Sequence, residues 1–147
     1  MRIVRTIAII SLAFLALSAI WGAVLLIHDP SGSPMQIRQN VLEHTPFHSF
    51  LIPGILLLVS QGLSGFVVLG IAIFCKRGYG WWIGFQGCLL FGWITIEVIL
   101  VREVVWLHYV YWVLGLILIA TGWALWRGEA KPATRPKQAA SAAASKS

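Results

Sequence analysis

Glu97, Arg102, Glu103 and His108 all fall within the stretch ITIEVILVREVVWLH, a run otherwise suited to hydrocarbon. An ionised carboxylate at such a position is costly unless it is paired, protonated or wet, so intramembrane ionisable groups are functional candidates by default. The remaining imidazoles, His28, His44 and His48, come from the first long polar connection together with Asp29. All four histidines of the chain are therefore expected at one level, near the outer end of the apolar segments.

Three chemistries fit these residue types. In the plainest, Glu97 is protonated or pairs with Arg102 across a bend, and the histidines are ordinary interface residues. In the second, Glu97, Arg102, Glu103, His108, His28, His44 and His48 line a ligand or proton site that opens outward, with Glu97 at its floor. The third is metal or haem ligation. His44 and His48 have the four-residue spacing of a metal pair, but Pro46 between them argues against one regular helical turn. His28 ends one apolar segment and His108 begins another, at similar depth. CxxCH, HExxH and nucleophile-elbow patterns are all missing from the sequence. No catalytic centre, resident metal or cofactor is expected.

The elements that must position these groups follow from composition. The chain has 147 residues, of which 59% are hydrophobic and 11% charged, and its mean hydropathy is +0.83. A soluble domain this small could not hide that much apolar surface. Crossing a hydrocarbon core takes about 20 apolar residues as a helix. Four segments meet that length, at about 6–27, 50–75, 81–101 and 107–126. None alternates in polarity as a membrane β-strand would. The expected fold is all-α, an integral membrane four-helix bundle over residues 1–127, followed by a disordered tail at 128–147 rich in Ala, Ser, Lys and Pro.

Arg2 and Arg5 before IAIISLAFLAL resemble the start of a signal peptide. The apolar run continues to Ile27, however, which favours a retained anchor. Arg2, Arg5, Lys76, Arg77, Arg127, Lys131, Arg135, Lys137 and Lys146 fall on one side of a four-pass arrangement, and only Arg38 and Arg102 on the other. The positive-inside rule then gives both termini in the cytoplasm and an outer loop at 28–49. The net charge of +6 arises mainly from the inner side, so nucleic acid is not needed to explain it. Membrane lipids, a membrane-protein partner or a second copy are the expected partners. Cys75 and Cys88, thirteen residues apart, are expected to be free.

Smaller features refine this picture. Ile37, Val41 and Leu42 suggest a short surface helix in the outer loop. Thr45 followed by Pro46 reads as the start of the second helix, with Pro53 kinking its early turns unless it marks the true start. Gly80, Gly84, Cys88 and Gly92 recur every four residues and are expected to form a packing ladder. Ser18 with Gly22, and Ser60 with Ser64, repeat that spacing. Gln61 and Gln86 are the other intramembrane polar side chains. Gln86 and Glu97, eleven residues apart, are separated by only about 20° around a helix.

The order DPSG, TPF, PG at the second helix, then a glutamate-bearing third helix leading into WLHYVYWVLG, resembles a family of small uncharacterised four-helix proteins of the bacterial inner membrane. The resemblance covers most of residues 7–126 and implies the architecture, with no activity attached. From these residues the expected role is an accessory or ligand-binding subunit. The rival is a small membrane enzyme or proton-coupled carrier using Glu97 and the histidines.

Overall fold

The computed structural model describes residues 1–35, 43, 45–75, 77–102 and 104–130. Four helices succeed one another in antiparallel order: α1 (Arg2–His28), α2 (Leu51–Phe74), α3 (Tyr79–Val101) and α4 (Trp106–Ala130). All four are long and apolar enough to cross a membrane. Each runs beyond its apolar core because helical bonding does not stop where hydrocarbon-compatible side chains do. Arg2 and Arg5, for instance, belong to the first turns of α1. Two ends are distinguished below: the loop end, where His28, Phe50 and Trp106 lie, and the tail end, near Arg5 and Glu129.

The interior interleaves alanine with leucine, isoleucine and valine. Ala8, Leu12, Leu15, Ala16, Ala19 and Ala23 of α1 are buried with Val68 and Ala72 of α2, Ile83 and Leu90 of α3, and Leu118 and Leu125 of α4. Large apolar side chains point outward on every helix, among them Phe14, Leu17, Val67, Ile99 and Leu116. This inversion of the soluble pattern suits a hydrocarbon surround, where outward apolar groups carry no penalty.

The tightest pair is α3 with α4, and glycine permits it. A Cβ on Gly80 would lie 2.5 Å from the Trp126 nitrogen, and one on Gly87 would lie 2.7 Å from the Ile119 nitrogen. The seam is thus Gly80, Gly84 and Gly87 against Gly115 and Gly122. This corrects the four-residue ladder expected from sequence: Cys88 is exposed, and a Cβ on Gly92 would meet nothing within 4 Å. A four-residue step overshoots a helical turn by about 40°, so three steps rotate the stripe about 120° off the contact face. Gly87 belongs to the seam because it follows Gly80 by seven residues, close to two turns.

α2 also starts later than Thr45–Pro46 suggests. The Thr45 hydroxyl accepts the Phe47 N–H at 3.3 Å in a local turn, and helical bonding begins with Gly54 N–H to the Phe50 carbonyl at 2.9 Å. Pro53 therefore lies in the first turn, where its missing N–H has no partner to lose, and it does not kink the helix. The irregularity lies deeper. Leu58–Leu63 form a π-helical segment within α2, a widened turn of a kind often found at functional positions. The expected surface helix containing Ile37, Val41 and Leu42 lies outside the described residues, as does the tail from 131 onward.

Charges sit on helix ends at the tail end. The Arg5 guanidinium donates to the Ala72 carbonyl at 2.8 and 3.0 Å and to the Ile73 carbonyl at 3.0 Å, closing the C-terminus of α2. It also lies 5.0 Å from the Tyr79 ring. Glu129 of α4 accepts the Gly78 N–H at 2.8 Å, ahead of α3. Gly78 has φ +81°, a conformation that costs glycine nothing. Each charge complements the helix dipole it faces. Arg5→Ala removes three charge-assisted bonds and should cost about 2 kcal/mol of unfolding free energy in mixed micelles. Arg5→Lys should recover only part, since an ammonium lacks the guanidinium's planar fork. A loss no larger than that of exposed Arg127→Ala would contradict the capping role.

Candidate functional site

Near mid-helix, two glutamines meet at the π segment. The Gln86 amide of α3 donates to Gln61 Oε1 at 3.1 Å and to the Ser60 carbonyl at 3.3 Å, while the Ser64 hydroxyl donates to Gln86 Oε1 at 3.0 Å. Gln61 is fully buried and Gln86 nearly so. The two intramembrane glutamines are therefore bonded to each other between helices. The node is incomplete, however: Gln61 Nε2 and Ser60 Oγ are buried with no hydrogen-bond partner, and so is the Trp93 indole nitrogen.

Above this node, toward the loop end, the bundle is hollow. A cavity of about 270 Å³ is walled by all four helices and by the segment before α2. Its floor includes Gln61. α1 contributes Ser18, Ala19 and Gly22, whose small side chains make the room. Phe47, Phe50, Leu57, Leu90, Trp93 and Tyr111 supply apolar and aromatic wall, and Glu97 and His108 the ionisable groups. The hollow follows from how α2 lies. Its Ser64–Phe74 part packs on both α1 and α3, whereas Leu51–Leu57 packs mainly on α1. The resulting gap between α2 and α3 is bordered by Leu56 and Ile96, which line the cavity yet remain exposed. The cavity thus opens sideways onto the apolar flank of the bundle.

Glu97 and His108, both expected to carry chemistry, share this cavity. No hydrogen bond or ion pair reaches the Glu97 carboxyl from the described residues. His108 is buried, and its Nδ1 accepts the Val105 N–H at 3.0 Å at the start of α4. Its Nε2 is left without a partner among the described residues. The other expected members do not join them. His28 and His48 are exposed at the loop end. Arg102 is exposed too, ending α3 at φ 57° with its N–H on the Val98 carbonyl, and it forms no ion pair with Glu97. Glu103 and His44 lie outside the described residues. Nearby, the Ser31 hydroxyl and then its backbone N–H hold the Asp29 carboxyl below its usual range.

The correction has a simple geometric cause. Residues at one depth in a bundle need not share one face, and only a cavity-facing position brings a side chain inside. Among the described residues, no group of three His, Cys, Asp or Glu side chains is arranged to hold a metal ion. Trp93 and Tyr111 are cavity residues that sequence reasoning missed. Trp93 precedes Glu97 by four residues and Tyr111 follows His108 by three, so each shares a face with an ionisable group already singled out.

Comparison with protein-family models, curated proteins and solved structures finds no match. Function is therefore argued from the cavity.

The cavity offers polar groups able to bind a ligand. Glu97 offers an unengaged carboxyl, His108 an unengaged Nε2 and Tyr111 a phenol, set within an apolar hollow.

Proposed function

We propose that this chain is a ligand-binding protein of the bacterial cytoplasmic membrane, an accessory subunit rather than an enzyme. It holds a small, mainly apolar molecule between its helices. Both termini are cytoplasmic in this reading, supported by the crowding of Lys and Arg at the tail end and the sparse basic charge of the loop end. The cavity then lies in the outer half of the membrane.

One observation carries the reading: a hollow of about 270 Å³ within the bundle, with polar groups in its wall that have no partner among the described residues. Ligand sites are typically apolar hollows with a few convergent polar groups. The sideways opening suits a ligand dissolved in the bilayer. Native mass spectrometry of the chain, gently extracted from its own membrane, tests this. A reproducible small added mass is expected. A bare chain at every detergent concentration overturns the ligand reading, and a second protein chain at fixed stoichiometry supports the accessory role.

A proton-coupled carrier is the second reading, favoured by Glu97 and His108 lining the same cavity. It requires that the ligand cross the membrane in response to a pH gradient in sealed vesicles.

A further inference from the structure

We propose that the occupant is a lipophilic cation, an ammonium group on an apolar body, with Glu97 as its counter-charge. This rests on the ligand-binding reading above and names the ligand's class. The argument starts from charge. Among the described residues Glu97 is the single acidic one lining the cavity, and no described basic side chain answers it. Arg5 is bonded to carbonyls at the opposite end, Arg127 stacks on Trp123, and Arg102 is exposed. His108 does not compensate it either, because an imidazole accepting at Nδ1 is neutral.

The titratable groups facing Glu97 across the cavity are therefore His108 and Tyr111 of α4. α1 and α2 present Ser18 and Gln61, which do not titrate. An ionised carboxylate in apolar surroundings is stabilised by an opposite charge, and a bound cation supplies one.

The walls favour the same class. Phe47, Phe50, Trp93 and Tyr111 all line the hollow, and aromatic faces attract ammonium groups through their quadrupoles. An anionic ligand would meet Glu97 as a like charge. A sugar-like ligand would press most of its hydroxyls against apolar wall such as Leu15, Leu26, Leu57 and Leu90, since the polar groups of the lining are few. The opening between Leu56 and Ile96 faces the apolar flank, so the cation's body must be soluble in lipid.

The test uses the full chain in lipid nanodiscs, with empty nanodiscs as the blank. Phenyltrimethylammonium is compared by microdialysis with tert-butylbenzene, its uncharged carbon isostere. Wild type should bind the cation about tenfold more tightly than the isostere, the size of one well-placed aromatic and ionic contact. Glu97→Gln should erase that difference, and Glu97→Asp should keep most of it. If Glu97→Gln does not fold, the isostere comparison in wild type still decides. Equal binding of the two compounds to wild type, or a preference unchanged in Glu97→Gln, overturns the cation while leaving the cavity a binding site. Failure of both compounds to bind wild type overturns the cation and the ligand-binding reading together.

Discussion

Gly122→Ala should destabilise the protein by about 3 kcal/mol, at the upper end of what a single overpacking methyl usually costs. An added Cβ would press on the Gly84 nitrogen, would lie 2.6 Å from the Gly84 Cα and 2.8 Å from the Gly80 carbonyl oxygen. All three are backbone atoms of α3, so no rotamer change relieves them. The two helices must move apart, and the close contact that drives association in lipid is weakened along the whole seam. The comparison is Gly92→Ala, on the facing helix α3 but in open space, which should stay within about 0.5 kcal/mol of wild type. Unfolding by sodium dodecyl sulfate in mixed micelles measures both. Similar midpoints for the two variants would mean that the α3–α4 seam does not hold the bundle together.

The same pair of glycines shows where sequence reading worked and where it stopped. That α3 packs through small residues was legible, because glycine at short intervals in an apolar helix has few other uses. Which glycines do so was not. A four-residue template selects Gly92, whereas the 3.6-residue helix selects Gly87, and only the partner surface at Gly115 and Gly122 separates them. A seven-residue spacing is written in both helices, from Gly80 to Gly87 and from Gly115 to Gly122. It was the available signal.

The four helices themselves were the most legible feature, since uninterrupted apolar length is a strong constraint on backbone hydrogen bonding. Their ends were less so. Thr45–Pro46 carries the chemistry of a helix start, but its hydroxyl serves a local turn instead. The π segment at Leu58–Leu63 left no periodic trace. Gln61 within it and Gln86 of α3 were visible as polar residues in lipid-compatible runs, whereas their mutual bond needed the packing of the two helices.

The site was legible in part for a related reason. Glu97 and His108 announced themselves by residue type. The cavity that joins them did not, because it depends on α2 leaning toward α1 at the loop end. Depth along the bundle can be counted in sequence, whereas facing direction requires the neighbours. That is why His28, His48 and Arg102 were grouped with Glu97 and stand apart from it.

Gly22→Leu turns this geometry into a test of function. Gly22 is buried on α1 and lines the cavity, and a Cβ there would meet only Leu57 Cδ2, at 3.6 Å. A methyl therefore fits, so Gly22→Ala should bind the co-purifying molecule nearly as wild type does. The further carbons of leucine have nowhere to go but the hollow, where each methylene-sized obstruction can cost a ligand about tenfold in affinity. Gly22→Leu should accordingly lose the added mass in native spectra. Its own stability should change by less than about 1 kcal/mol, because filling an existing space displaces no backbone. The contrast with Gly122→Ala separates the two roles of glycine in this chain: at position 122 it lets helices touch, and at position 22 it keeps them from filling the space between. A Gly22→Leu protein that retains the ligand would place the binding site elsewhere on the bundle.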